Sequence, residues 1–143
     1  MSEQGQEELI QAAMKAREQS VAPFSHFRVG AAVETEDGKI YTGCNIESAS
    51  YGLTVCAERV AIWKALSEGE RHFKRLAIVA DTENLTPPCG TCRQIIWEFC
   101  RDATPIILAN LRGAVETDKV GDLLPRAFDA RFLKEASKSK DEG

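Results

Sequence analysis

The chain has 143 residues, 43% of them hydrophobic, with a formal net charge of −4 and a pI near 5.3. That is apolar material for one ordinary domain, expected over residues 1–134, with a polar tail at 135–143. The acidic balance disfavours an extended nucleic-acid partner but not a small nucleoside. No stretch approaches the roughly 18 apolar residues of a membrane span. The polar start M-S-E-Q-G-Q-E-E-L lacks the basic end and apolar run of a secretory signal, so a soluble cytoplasmic protein is expected.

Along the chain, Leu9, Ile10, Ala13, Met14 and Ala16 recur at helical spacing between Glu7 and Gln19, an amphipathic surface helix that must end before Pro23. F-R-V-G-A-A-V-E-T alternates as a strand, E-D-G-K signals a tight turn and I-Y-T-G-C-N returns, so Phe27 to Asn45 reads as a β-hairpin. After the loop E-S-A-S-Y-G a helix starts near Thr54 or Cys56, with Val60, Ala61, Trp63, Ala65 and Leu66 as its apolar positions. L-A-I-V-A from Leu76 suits a buried strand, and Ile95, Ile96, Phe99 and Cys100 mark a helix starting close to Gly90. Pro105–Ala109 and Ala114–Asp118 read as strands, and D-L-L-P-R-A-F opens an irregular or helical end. The order α-β-β-α-β-α-β-β-α predicts a three-layer α/β/α sandwich around a mixed sheet of about five strands.

Five cysteines without an export signal argue against a disulfide framework. Cys89 and Cys92 form a C-x-x-C unit, which by itself reads as a redox pair, half of a metal site or two buried thiols. Cys56, at the start of another predicted helix, tilts the reading to metal, because two helix N-termini side by side can assemble three thiolates. Zinc suits such ligands, and three rather than four leave a position open for water, as catalytic sites require. A fourth ligand from Cys44, Cys100, His26 or His72 would make the site structural; each also reads as a buried hydrophobe or an ordinary imidazole. Glu58, two residues beyond Cys56, is placed to move a proton at the open position, or is simply an acidic residue favoured at a helix N-terminus. Three thiolates leave Zn²⁺ with a formal charge of −1, so compensation is expected from the helix dipoles and from Arg59 and Arg93, which could bond the sulfurs, hold the loops or be solvated charges.

Cys56-Ala57-Glu58 and Pro88-Cys89-Gly90-Thr91-Cys92 resemble the zinc-dependent nucleoside deaminases, whose signature is a Cys or His, a Glu two residues on and a later P-C-x-x-C. F-R-V-G-A-A, G-C-N-I-E-S-A-S-Y-G-L-T, P-C-G-T-C-R-Q and L-L-P-R-A-F extend the likeness to the small homotetrameric cytidine deaminases, over nearly the whole chain to Phe128. Thr91 and Phe24 depart from the usual Ala and Tyr. The resemblance implies one Zn²⁺ per subunit on Cys56, Cys89 and Cys92, with Glu58 as proton shuttle. It also implies Asn45 and Glu47 on the ribose hydroxyls, Phe27, Tyr51 and Ala57 around the base pocket, and Phe128 reaching a neighbouring subunit's site. The expected reaction is hydrolytic deamination of cytidine and deoxycytidine in pyrimidine salvage. A deaminase of blasticidin S, a non-catalytic zinc module and a polynucleotide deaminase are the rivals; Asn45 and Glu47 favour a plain ribose.

Overall fold

The structure is a computed structural model describing residues 2–135. Its sheet has the strand order β2-β1-β3-β4-β5. β1 (Val29–Thr35) and β2 (Ile40–Cys44) form the expected hairpin, turning at Gly38, whose φ of 89° is one that side chains resist. β3 (Phe73–Ala80) pairs antiparallel with β1 and parallel with β4 (Pro105–Ala109), which pairs antiparallel with β5 (Val115–Lys119). The parallel pair requires a crossover, and the helix α3 (Gly90–Phe99) lies within it.

The three inner strands are buried on both faces, and their period of two divides them between two cores. Ala31, Val33, Leu76, Ile78, Ile106 and Leu108 meet α2 (Ala57–Ser67) and α3, while Ala32, Ala77, Val79, Ile107 and Ala109 meet Leu9, Ile10 and Ala13 of α1 (Ser2–Arg17). Helices therefore cover both faces, as the element order predicts. Glu34 and Arg75, opposite each other on β1 and β3, are a buried ion pair with N···O 2.5 Å.

Several boundaries differ from those read off the sequence. α1 begins at Ser2, five residues before Glu7, and Gly5 in this added turn lies against the Arg75 guanidinium, where a Cβ would be 2.2 Å from Nη2. The buried face of α2 carries the apolar residues Ala57, Ala61, Ile62 and Ala65; Trp63, one of the apolar positions read from the sequence, is 46% exposed. A short 3₁₀ turn, Tyr51–Leu53, occupies the loop ahead of Cys56. β5 begins one residue later than expected. The C-terminal piece contains α4 (Val120–Leu123) and a further helical stretch at 130–135, which includes Glu135; the rest of the expected tail lies outside the described residues.

Gly43 on β2 is the point of closest helix–strand approach at the site. A Cβ there would meet Ala61 N at 2.5 Å, Ala57 O at 2.6 Å and Val60 Cβ at 2.9 Å, so only glycine lets the first turns of α2 settle on the strand. Gly43→Ala should cost about 1–3 kcal/mol in chemical denaturation and weaken zinc in chelator competition, since the displaced turn carries Cys56; an unchanged metal affinity would uncouple the packing from the site.

Candidate active site

Two helix starts build the site. Cys56 is the N-cap residue of α2 and Cys89 that of α3, both in extended conformation, and Cys92 lies buried in the first turn of α3. α2 follows an antiparallel bridge between Ile46 and Val55, whereas α3 follows the loop leaving the carboxyl end of β3, the end at which open α/β sheets hold ligands. The three Sγ atoms all lie within 4.8 Å of one another, with Cys56 and Cys89 at 3.8 Å. Zn–S bonds of about 2.3 Å at the tetrahedral angle put neighbouring sulfurs about 3.8 Å apart, so the donor set fits zinc in chemistry and in spacing. Cys44 and Cys100 are outside the group; Cys100 sits in the core, its thiol pushed up to about 12 by burial. His26 and His72 are exposed and also outside it.

The protons of the metal-free cluster are unevenly held. A hydrogen bond from Cys92, then those from Arg59 and Cys89, brings the Cys56 thiol down to about 5 against the opposing effect of burial. Cys92 is driven the other way, first by its bond to Cys56 and then by burial and the Glu58 charge. One thiolate, Cys56, is thus ready in advance, and a metal ion must displace the proton of Cys92.

Glu58 is 4% exposed on the apolar face of α2, and burial first, then the Cys56 charge, raises its carboxyl to about 7. It is within hydrogen-bond reach of Cys92. Arg59 lies against the cluster: Nη2 donates to Thr54 O at 3.3 Å and approaches Cys56 Sγ at 3.9 Å, with the guanidinium carbon 5.7 Å from the centre of the Trp63 ring. Arg93 turns elsewhere, donating from Nε to Pro88 O at 2.8 Å and from Nη1 to Leu123 O at 2.9 Å. Of the alternatives open in the sequence it follows loop-holding, tying the turn before Cys89 to the C-terminal piece, while the charge beside the sulfurs is that of Arg59.

A cavity of about 250 Å³ opens beside the cluster, lined by Phe27, Asn45, Glu47, Cys56, Ala57, Glu58 and Cys89 among others. Two other expected residues lie away from it. Tyr51 is 77% exposed, edge-on to Phe24 on the outer side of Glu47, and Phe128 stacks on Phe132 with ring centres 5.8 Å apart.

The polar wall is held by residues the motif reading passed over. Asn45 Oδ1 accepts from Val29 N–H at 2.9 Å and from the Ser20 hydroxyl, and Nδ2 donates to Phe27 O at 2.7 Å. Glu47 Oε1 accepts from Phe24 N–H at 3.0 Å and Ser25 N–H at 3.1 Å, and Oε2 from the Ser25 hydroxyl. The Ser25 hydroxyl, followed by these backbone donors, holds the Glu47 carboxyl below the usual carboxylate range. The only sign of Ser20 and Ser25 in the sequence is that two small polar residues flank Pro23.

Convergent thiols, a buried carboxyl beside them and a polar-walled cavity define a zinc-dependent hydrolytic site on an α/β/α sandwich. The family model described as the cytidine and deoxycytidylate deaminase zinc-binding region matches residues 3–108. A cytidine deaminase of Sporosarcina psychrophila is 53% identical over 131 residues, 92% of this chain and 96% of its own. One from Halalkalibacterium halodurans is 50% identical over 125 residues, 87% of this chain and 95% of its own. The crystal structure of cytidine deaminase from Burkholderia pseudomallei matches with a TM-score of 0.84 at 48% identity, over 85% of this chain and 98% of that one. The chain belongs to this family of zinc-binding cytidine and deoxycytidylate deaminases.

The raised Glu58 carboxyl has a cost in the metal-free protein. A folded-state value of about 7 against 4.5 means that the fold favours the protonated form. The associated stability is fully present below pH 4.5 and lost as pH rises through 7, at most about 3 kcal/mol. Glu58→Gln escapes this loss. After chelation, its denaturation midpoint should rise relative to the parent's between pH 4.5 and 8; parallel pH curves would contradict the assignment.

Proposed function

We propose that this protein hydrolytically deaminates cytidine and deoxycytidine to the uridine nucleosides and ammonia. The observation that carries the reading is the Glu58 carboxyl, buried beside three convergent thiols in the wall of one cavity. Zinc on Cys56, Cys89 and Cys92 supplies, when bound, a Lewis acid that acidifies water.

The remaining steps belong to the chain's own groups. Glu58 accepts a proton from water as the oxygen bonds to C4 of the base, and it passes that proton to N3. The carboxylate then moves the hydroxyl proton of the tetrahedral carbon to the amine; the C4–N bond breaks and ammonia leaves. A carboxyl near 7 is matched to taking and returning protons at neutral pH. Arg59 offsets the negative charge of the thiolates, and Phe27 and Ala57 flank the base.

The hydrogen-bond inventory supports the sugar assignment. Among the described residues Asn45 spends both Oδ1 lone pairs and one Nδ2 proton internally, leaving one N–H; Glu47 has Oε1 filled and one lone pair of Oε2 left. One donor beside one acceptor suits a single hydroxyl that accepts from Asn45 and donates to Glu47. One sugar hydroxyl is common to cytidine and deoxycytidine on the ring, so the inventory supports both substrates.

We also propose a cytoplasmic homotetramer acting in pyrimidine salvage. Five free cysteines support a reducing compartment. Phe128, 56% exposed and absent from its own chain's cavity, supports a neighbour's need for it. Light scattering should return four times the mass of the chain, and Phe128→Ala should raise KM; a fully active monomer would sink this part.

Zinc-loaded protein should convert cytidine and deoxycytidine, followed by ultraviolet absorbance, and leave single-stranded DNA untouched. Glu58→Gln should keep one zinc per chain and lose turnover by about two to four orders of magnitude. A variant as active as the parent would refute the mechanism.

A further inference from the structure

The Ser25 hydroxyl stands between two groups of the cavity wall. Its oxygen accepts the Phe27 N–H at 3.0 Å, and its proton goes to Glu47 Oε2. Both partners, the donor Phe27 and the acceptor Glu47, line the cavity, as does Ser25. A single hydroxyl therefore ties an aromatic and a carboxylate contributed by segments 20 residues apart.

The local backbone explains why a tie is needed. Residues 23–25 form a turn closed by His26 N–H donating to Ala22 O at 3.0 Å. Glu47 Oε1 takes the N–H groups of Phe24 and Ser25 much as a capping carboxylate takes those of a first helical turn, and Pro23 has none to offer. His26 then leaves the turn with φ 58°, a left-handed conformation that disfavours residues with a Cβ and must be held from outside. The holders are the bonds on either side of it: Glu47 grips the turn before His26, and Ser25 Oγ takes the N–H after it. The chain arrives at Phe27 in one orientation because both are made.

We propose that Ser25 is a positioning residue for the substrate's sugar: its hydroxyl aims the one acceptor left on Glu47 and fixes Phe27 beside it. This rests on the cytidine reading above. Among the described residues the hydrogen bonds of Ser25 go to Glu47 and Phe27 and not to the thiols or Glu58, so its effect falls on binding and depends on a sugar hydroxyl being there.

The test is steady-state kinetics of zinc-loaded parent, Ser25→Ala, Ser25→Gly and Ser25→Thr on cytidine and on 2′,3′-dideoxycytidine, which lacks the ring hydroxyls. With cytidine, Ser25→Ala should raise KM about tenfold, the scale of one hydrogen bond to a charged group, and leave kcat within about twofold. With dideoxycytidine the rise should be clearly smaller than with cytidine, because Glu47 has no ring hydroxyl to receive and only the hold on Phe27 is lost. Ser25→Thr, which keeps a hydroxyl, should recover most of the cytidine loss. Ser25→Gly removes the hydroxyl without adding bulk and must show the same substrate-selective pattern. An equal rise in KM for both nucleosides would reduce Ser25 to a folding role, and an unchanged KM for cytidine would overturn the proposal outright. A parent that fails to deaminate cytidine would overturn the functional reading itself, whatever the variants do.

Discussion

Three sulfurs from two separate helices have to lie within a tetrahedral edge of one another, and much of the architecture answers to that distance. Cys56 and Cys89 are 33 residues apart and meet at 3.8 Å only because α2 and α3 pack on the same face of the sheet with their N-termini together. Anions are favoured at helix N-termini, so the dipoles lower the cost of collecting thiolates. They do not remove it: among the metal-free thiols one ionises easily and drives its neighbour the other way. A divalent ion resolves that conflict, and the guanidinium of Arg59, backed by the Trp63 ring, eases it from the side.

The same packing sets the chemistry of Glu58. It occupies a position on α2 that the helix otherwise fills with Ala57, Ala61, Ile62 and Ala65, so it is buried because its helix is buried. The fold tolerates a carboxyl there at a cost in stability, and the result is a group that holds its proton near neutrality. Gly43 belongs to this arrangement although it carries no functional atom. Its missing side chain sets how close α2 comes to β2, and Asn45, just past the end of β2, is thereby held near Cys56 and Glu58 in one wall.

On the substrate side, the residues that look like ligand-binding groups are largely occupied with the protein. Asn45 and Glu47 hold the segment from Ser20 to Val29 in place by six hydrogen bonds and keep one donor and one acceptor in reserve. Groups fixed in this way are preorganised, and little rotamer entropy remains to be lost when a ligand arrives. The economy also makes the wall cooperative, since removing either side chain loosens the turn that carries Phe27.

The element order, the two cores and the three thiols with Glu58 were legible in the sequence, because they rest on local signals: strand and helix periods, turn glycines, and a cysteine spacing that few chemistries use. The start of α1, the exposure of Trp63 and the one-residue offset of β5 were not, since element ends and the choice of buried face depend on packing between segments distant in the chain. Nor could the sequence choose a partner for each arginine. Arg93 directly follows Cys92 while Arg59 stands three residues beyond Cys56, the N-cap of α2, yet it is Arg59 that is turned toward sulfur, while Arg93 is drawn off by the carbonyls of Pro88 and Leu123. Residue identity determined which chemistry was available here; tertiary packing decided which groups are buried and which lone pairs remain free, because burial and hydrogen-bond saturation depend on neighbours that are distant along the chain.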